Sequence, residues 1–157
     1  MGRKLFLTFF YTGLSPVAPG TVGTLAGAAV AFLILSYLPQ STLFLLTILL
    51  SIIAVKEINK YEEETKIHDS SQIVIDEVAG IWLAFSLSSS TYTQMILSIV
   101  FFRIFDIWKP SIIGKVDEKV PGGLGVMGDD LLAGMFAGIC SAGTWQIING
   151  YILPYIQ

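Results

Sequence analysis

Histidine, cysteine and charge are all scarce in this chain of 157 residues, and each scarcity removes a class of protein. A single cysteine, Cys140, excludes an intramolecular disulfide and any cysteine-cluster metal site. Nor is it the nucleophile of a cysteine phosphatase, because Gln146 stands where such an enzyme needs its arginine. His68, the one histidine, cannot supply a phosphatase mechanism that needs two, and it reads as a solvated loop residue. Only 13% of the residues are charged and the net charge is −3, so the basic face of a nucleic-acid-binding protein is missing. There is no internal repeat and no low-complexity tract. The N-terminal MGRKLFLTFFYTGLSP has a basic start and an apolar run but no small-x-small cleavage site, and is expected to be retained.

What is abundant is apolar surface. The chain is 54% hydrophobic with a mean hydropathy of +0.72, outside the range of ordinary soluble domains. That composition predicts an integral membrane protein, all-α, with residues 1–157 forming one small polytopic bundle of about four to five helices. Thr21 to Leu38 carries no charge and is rich in glycine and alanine, which suits close helix packing in lipid. Pro39 and Gln40 break it from a second uncharged run, Ser41 to Val55, making the two antiparallel neighbours. The polar segment Lys56 to Asp69 must then lie in water. A second pair follows, Ile73 to Leu87 and Tyr92 to Trp108, separated by a turn at Ser88 to Thr91, and Leu131 to Leu153 forms a last uncharged span. Trp82, Trp108 and Trp145 read as packing or interfacial belt residues.

Lysine and arginine orient these spans. Arg3 and Lys4 precede the first, Lys56, Lys60 and Lys66 follow the second, and Arg103 to Lys119 follow the second pair, whereas the turns at Pro39 and Ser88 carry none. Every basic loop therefore falls on one side, expected to be the cytoplasm. The same topology delivers SPVAPGT, the Asp69 to Glu77 segment, FRIFDIWKP and GGLGVMGDD to that face, so four distant segments can build one site at the cytoplasmic membrane surface.

Those segments hold the residues that chemistry would use. Asp76 and Glu77 interrupt an apolar helix, where a carboxylate costs a few kcal/mol at the bilayer centre and so needs a partner or an interfacial depth. Being neighbours they point about 100° apart, which suggests one metal ligand and one orienting group. Arg103, Asp106 and Lys109 recur at i, i+3 and i+6 along one helical face, which Pro110 terminates. The plain alternative is a surface ion-pair ladder. Asp129 and Asp130 stand at the expected start of the last span, where acids are ordinary caps, but Gly122, Gly123, Gly125 and Gly128 ahead of them leave bare backbone for a ligand to approach. In SPVAPGT, Pro16 and Pro19 stiffen the loop, Gly20 permits positive φ and Thr21 is placed as a helix cap. Ser15, Gly20 and Thr21 are the candidate phosphate contacts, since free amides at a helix start suit an anion. Several carboxylates, two cations and an amide-rich helix start are the parts of magnesium-assisted phosphoryl chemistry, and oxygen ligands favour Mg²⁺ over Zn²⁺.

Four motifs, GLSPVAPGTVGT (Gly13 to Thr24), VIDEVAG (Val74 to Gly80), FRIFDIWKP (Phe102 to Pro110) and GGLGVMGDDLLAG (Gly122 to Gly134), occur in an order and spacing that resembles the phosphatidylglycerophosphatase A family. Ser111 and Ile112 depart from the Trp-Pro that many members have there, and Thr24 replaces a common serine. The resemblance implies a bacterial inner-membrane, multi-pass, Mg²⁺-dependent enzyme that removes the terminal phosphate of the membrane lipid phosphatidylglycerophosphate to give phosphatidylglycerol. It implies that Asp76, Glu77, Asp129 and Asp130 hold Mg²⁺ and that Arg103 and Lys109 offset phosphate charge, and it leaves Asp106 open as base, ligand or nucleophile. The other classes considered fit less well. A small transporter would want carboxylates near the midplane in broken, repeated helices. A non-catalytic membrane subunit with a carboxylate cation site would not need cations and acids converging from four segments. A CDP-alcohol transferase would carry a spaced aspartate signature that is absent here.

Overall fold

The sequence IDEVAGIWLAFSL is apolar on every side beyond its first turn, and a helix of that kind has to be enclosed by others. It forms α4 (Ile75–Leu87), of whose 13 residues nine are buried. The computed structural model describes residues 2–88 and 91–152. Around α4 stand α2 (Pro19–Tyr37), α3 (Gln40–Thr65), α5 (Tyr92–Trp108) and α7 (Gly123–Ile147), the last continued by a π-helical turn over Ile148–Ile152. Two short helices, α1 (Gly2–Leu7) and α6 (Ile112–Lys119), lie at one end, and no strand occurs among the described residues. The all-helical bundle is therefore as expected, with α1 and α6 added where the sequence suggested only connections.

Three helices, Pro19–Tyr37, Gln40–Thr65 and Gly123–Gly150, are long and apolar enough to cross a membrane. The 13 residues of α4 reach only about 20 Å at ~1.5 Å per residue, short of a ~30 Å hydrocarbon core. Its expected role as a span gives way to that of a central, enclosed helix. The polar segment after Val55 is no separate loop but the outer part of α3, whose 26 residues extend about 39 Å. α1 is tied to that outer part: Arg3 Nε donates to Glu57 Oε2 at 2.9 Å and Arg3 Nη1 lies 2.6 Å from Glu64 Oε2. The turn at Ser88 to Thr91 includes residues 89 and 90, and the last span was expected to end at Leu153, all of which lie outside the described residues.

Small residues set the spacing of the bundle. A Cβ on Gly134 would stand 2.1 Å from the Gly80 carbonyl oxygen, so α4 and α7 touch backbone to backbone beside the acids they carry. On the other flank Trp82 Nε1 donates to the Gly27 carbonyl at 2.9 Å, which makes this buried tryptophan a packing residue, while Trp108 is exposed. Gly134→Ala is expected to force the two backbones apart and to cost about 1–3 kcal/mol as an overpacking substitution. A lower unfolding midpoint in detergent checks this, and an unchanged midpoint would show that α7 is free to shift.

The up-and-down course of the chain puts the starts of α2, α4 and α7 and the end of α5 at one end of the bundle. At the other end Gln40 Nε2 donates to the Phe85 carbonyl at 3.0 Å and also to that of Ser88.

Candidate active site

Asp76 and Glu77 occupy the first turn of α4, and Asp130 comes across from α7 to meet them. One carboxylate oxygen of each lies within 4.8 Å of the others. Neighbours about 100° apart on a helix converge here because the third acid enters the wedge between them. Asp76 Oδ1 accepts from the Glu77 amide at 3.1 Å. Asp76 and Asp130 are 6% and 4% exposed, and Glu77 Oε2 is buried without any hydrogen-bond partner. Three like charges so close and so dry repel each other, and an unsatisfied buried oxygen is costly. A hard cation among them answers both problems, so this group of oxygens can hold a metal ion.

Asp129 and Asp130 sit in the second turn of α7, which begins at Gly123 rather than at the acids. The plain alternative, that these acids merely cap the helix, is thereby excluded. The glycine-rich stretch is correspondingly not an open loop: Gly123, Gly125 and Gly128 are helical and packed, the first against the Val55 carbonyl and the second against that of Val120. Asp129 also stands apart from the three converging acids, because its Oδ2 accepts from Lys109 Nζ at 2.6 Å. Its Oδ1 is buried and has no partner.

The single helical face expected of Arg103, Asp106 and Lys109 holds only for the first two, and so does the alternative ion-pair ladder. Arg103 Nη1 pairs with Asp106 Oδ2 and reaches Thr24 Oγ1 at 3.4 Å. Lys109 has left the helix. As the residue before Pro110 it is excluded from the right-handed helical region, and it adopts φ 45°, ψ 56°. Its ammonium is thereby aimed away from Asp106, onto Asp129 and onto Asp117 Oδ1 at 2.7 Å. Burial disfavours its charge, but the hydrogen bonds to Asp117 and Asp129 outweigh burial and raise its pKa above the ordinary lysine value.

A cavity of about 220 Å³ joins these groups, lined by the four acids Asp76, Glu77, Asp129 and Asp130 with Asp106, Lys109, Pro19 and Gly20. Of the three expected phosphate contacts only Gly20 borders it. It does so by close approach rather than by positive φ, since its Cβ would lie 2.3 Å from Glu77 Oε1. Ser15 instead donates to the Val17 carbonyl at 2.8 Å, and Thr21 is inside α2, whose cap is Ala18. Asp69, Ser70 and Ser71, which sequence reasoning placed in a segment at this face without giving them a role, form a further wall. Asp117 was also missed. Within KVDEK it reads as surface charge, and its separation from Lys109 means nothing until the chain turns at Pro110. A larger groove of about 680 Å³ lies between α1 and α3, but the two acids that line it, Glu57 and Glu64, are already paired with its Arg3.

An all-helical protein with membrane-length helices thus closes buried carboxylates and the Lys109 ammonium around a small cavity at one end, with Arg103 held beside it by Asp106 rather than lining it. The sequence profile of phosphatidylglycerophosphatase A matches residues 5–145, and the chain belongs to that family. It is 37% identical over 141 residues to the phosphatidylglycerophosphatase A of Escherichia coli K12, covering 89% of this chain and 79% of that one. The protein of the same name from Haemophilus influenzae is 37% identical over 129 residues, 82% of this chain and 79% of its own length. A Bacteroides thetaiotaomicron protein provisionally named phosphatidylinositol-3-phosphatase is 37% identical over 160 residues, 94% of this chain and 99% of its own. No solved structure matches. Family membership makes the chain a phosphatase of phospholipid metabolism.

Proposed function

We propose that this protein hydrolyses the terminal phosphate of phosphatidylglycerophosphate in an Mg²⁺-dependent reaction, at the cytoplasmic face of a bacterial inner membrane. The observation that carries this reading is the convergence of Asp76, Glu77 and Asp130 beside Lys109 around one small cavity, with Arg103 paired to Asp106 of its lining. At about 220 Å³ the cavity falls below the ~300–1,000 Å³ of pockets that enclose whole drug-sized ligands. It admits the phosphate end of a headgroup and leaves the acyl chains in the leaflet, so the lipid need not be extracted. The basic residues fall at the end of the bundle that carries the site, which supports a cytoplasmic orientation.

Asp76, Glu77 and Asp130 are the residues that would hold the ion, and Mg²⁺ held there would supply Lewis-acid chemistry to the phosphate. Asp129, also expected as a ligand, engages Lys109 through Oδ2 and keeps Oδ1 free. Lys109 and Arg103 offset the charge of the equatorial oxygens. Asp106 aims the guanidinium of Arg103, with which it is paired. Gly20 brings the start of α2, with its free amides, up to the phosphate. Hydrolysis consumes one water and leaves inorganic phosphate and the free glycerol hydroxyl of phosphatidylglycerol.

Phosphate release from phosphatidylglycerophosphate in detergent is expected to stop on chelation and to return with Mg²⁺. Full activity in metal-free buffer would sink the metal-dependent mechanism. Phosphatidylinositol 3-phosphate run in parallel tests the second reading, suggested by the Bacteroides relative, in which the same site serves an inositol headgroup.

A further inference from the structure

Lys109 is held by two acids of different kinds. Asp129 is 5% exposed in its side chain and lines the cavity, whereas Asp117 is 35% exposed and stands outside it. Asp117 comes from α6, a short helix brought against Lys109 by the turn at Pro110 and Ser111. The approach is close enough that a Cβ on Gly114 would stand 2.7 Å from the Lys109 carbonyl oxygen. A phosphate entering the cavity meets Lys109 from the side where Asp129 holds it, and repels that carboxylate. The contact to Asp117, which does not line the cavity, can persist through the exchange.

We propose that Asp117 is a positioning residue, which keeps the Lys109 ammonium at the cavity while its contact with Asp129 gives way to the phosphate. The physical need comes from the lysine stem, which is long and flexible and offers three rotatable donors. Tethered by Asp129 alone, the ammonium would settle against that buried acid and be lost to the substrate. Tethered on both sides, it is poised between them. This inference rests on the reading of Lys109 as a phosphate contact.

The test uses Asp117→Ala, Asp117→Asn and Asp117→Glu in the full chain, with kcat, KM, thermal midpoint and the labelling rate of Lys109 by an amine-acylating reagent, read by mass spectrometry against Lys60. Alanine and asparagine are expected to lower kcat about 10- to 100-fold, the range seen when a supporting partner is removed. KM should change by no more than about threefold, because the ground-state contacts of the headgroup remain. Glutamate should restore much of the loss, the midpoint should barely move, and Lys109 should be acylated more slowly in the alanine and asparagine variants, in which its ammonium settles against the buried Asp129. An unchanged labelling rate, undiminished turnover, or turnover and midpoint falling together in all three variants would overturn the proposal. A wild-type chain that releases no phosphate from either lipid would overturn the function proposed above, and the labelling arm would still report separately on whether Asp117 holds Lys109.

Discussion

Asp130→Asn is expected to give a folded protein whose turnover falls at least about 100-fold, since even partners one shell removed from a metal are worth 10- to 100-fold. Asparagine preserves the shape and one acceptor oxygen but removes the formal charge on which a hard divalent cation depends. The fold has little to lose, because Asp130 is one of three crowded carboxylates and neutralising it relieves repulsion. Without metal the thermal midpoint should therefore be unchanged or higher than that of wild type. With metal the order should reverse. Wild type gains stability as Mg²⁺ is added, by about 2.7 kcal/mol at a hundredfold excess over Kd, and the variant should gain little. Asp129→Asn is a useful contrast, because its carboxylate is held by Lys109 rather than by the other acids. Wild-type turnover of Asp130→Asn at limiting Mg²⁺ would remove this residue from the site.

Lys109→Met should be the second severe change, lowering kcat by about 10²- to 10³-fold, as removal of a preorganised charge facing the transition state does elsewhere. A structural role alone predicts a different pattern. If Lys109 only neutralises Asp117 and Asp129, stability and activity should fall together, because the buried Asp129 loses the one partner on its Oδ2. If Lys109 meets the phosphate, Lys109→Arg should keep the fold and recover only part of the turnover, since a planar fork cannot take the place of a compact ammonium. Near-full activity of a folded Lys109→Met protein would exclude it from the chemistry.

Much of the architecture could be read in advance. The uncharged runs before Pro39, after Gln40 and after Asp130 correspond to membrane-length helices, and α5 spans the stretch Tyr92 to Trp108 as expected. Hydropathy is a local property, so it survives in the sequence. The misreadings were of helix starts. GGLGVMGDD looks like a loop by its glycines, yet only Gly122 turns the chain, at φ 70°, while Gly123, Gly125 and Gly128 serve as thin helix surface against α3, Val120 and Val116. That a glycine is there to admit a neighbour, and not to bend the chain, cannot be known until the neighbour is in place.

By itself the sequence determined the class of fold, the scarcity and grouping of the charges, and the end of the bundle at which they gather, because composition, span length and the distribution of lysine and arginine act residue by residue. Tertiary structure alone decided which acids converge closely enough that they could hold a metal ion and which holds a lysine. Asp129 and Asp130 are adjacent in sequence but face different partners, since consecutive positions on α7 point about 100° apart, one toward α4 and the other toward the turn after α5. Asp117 entered the site only because Pro110 expels Lys109 from its helix and α6 folds back over it.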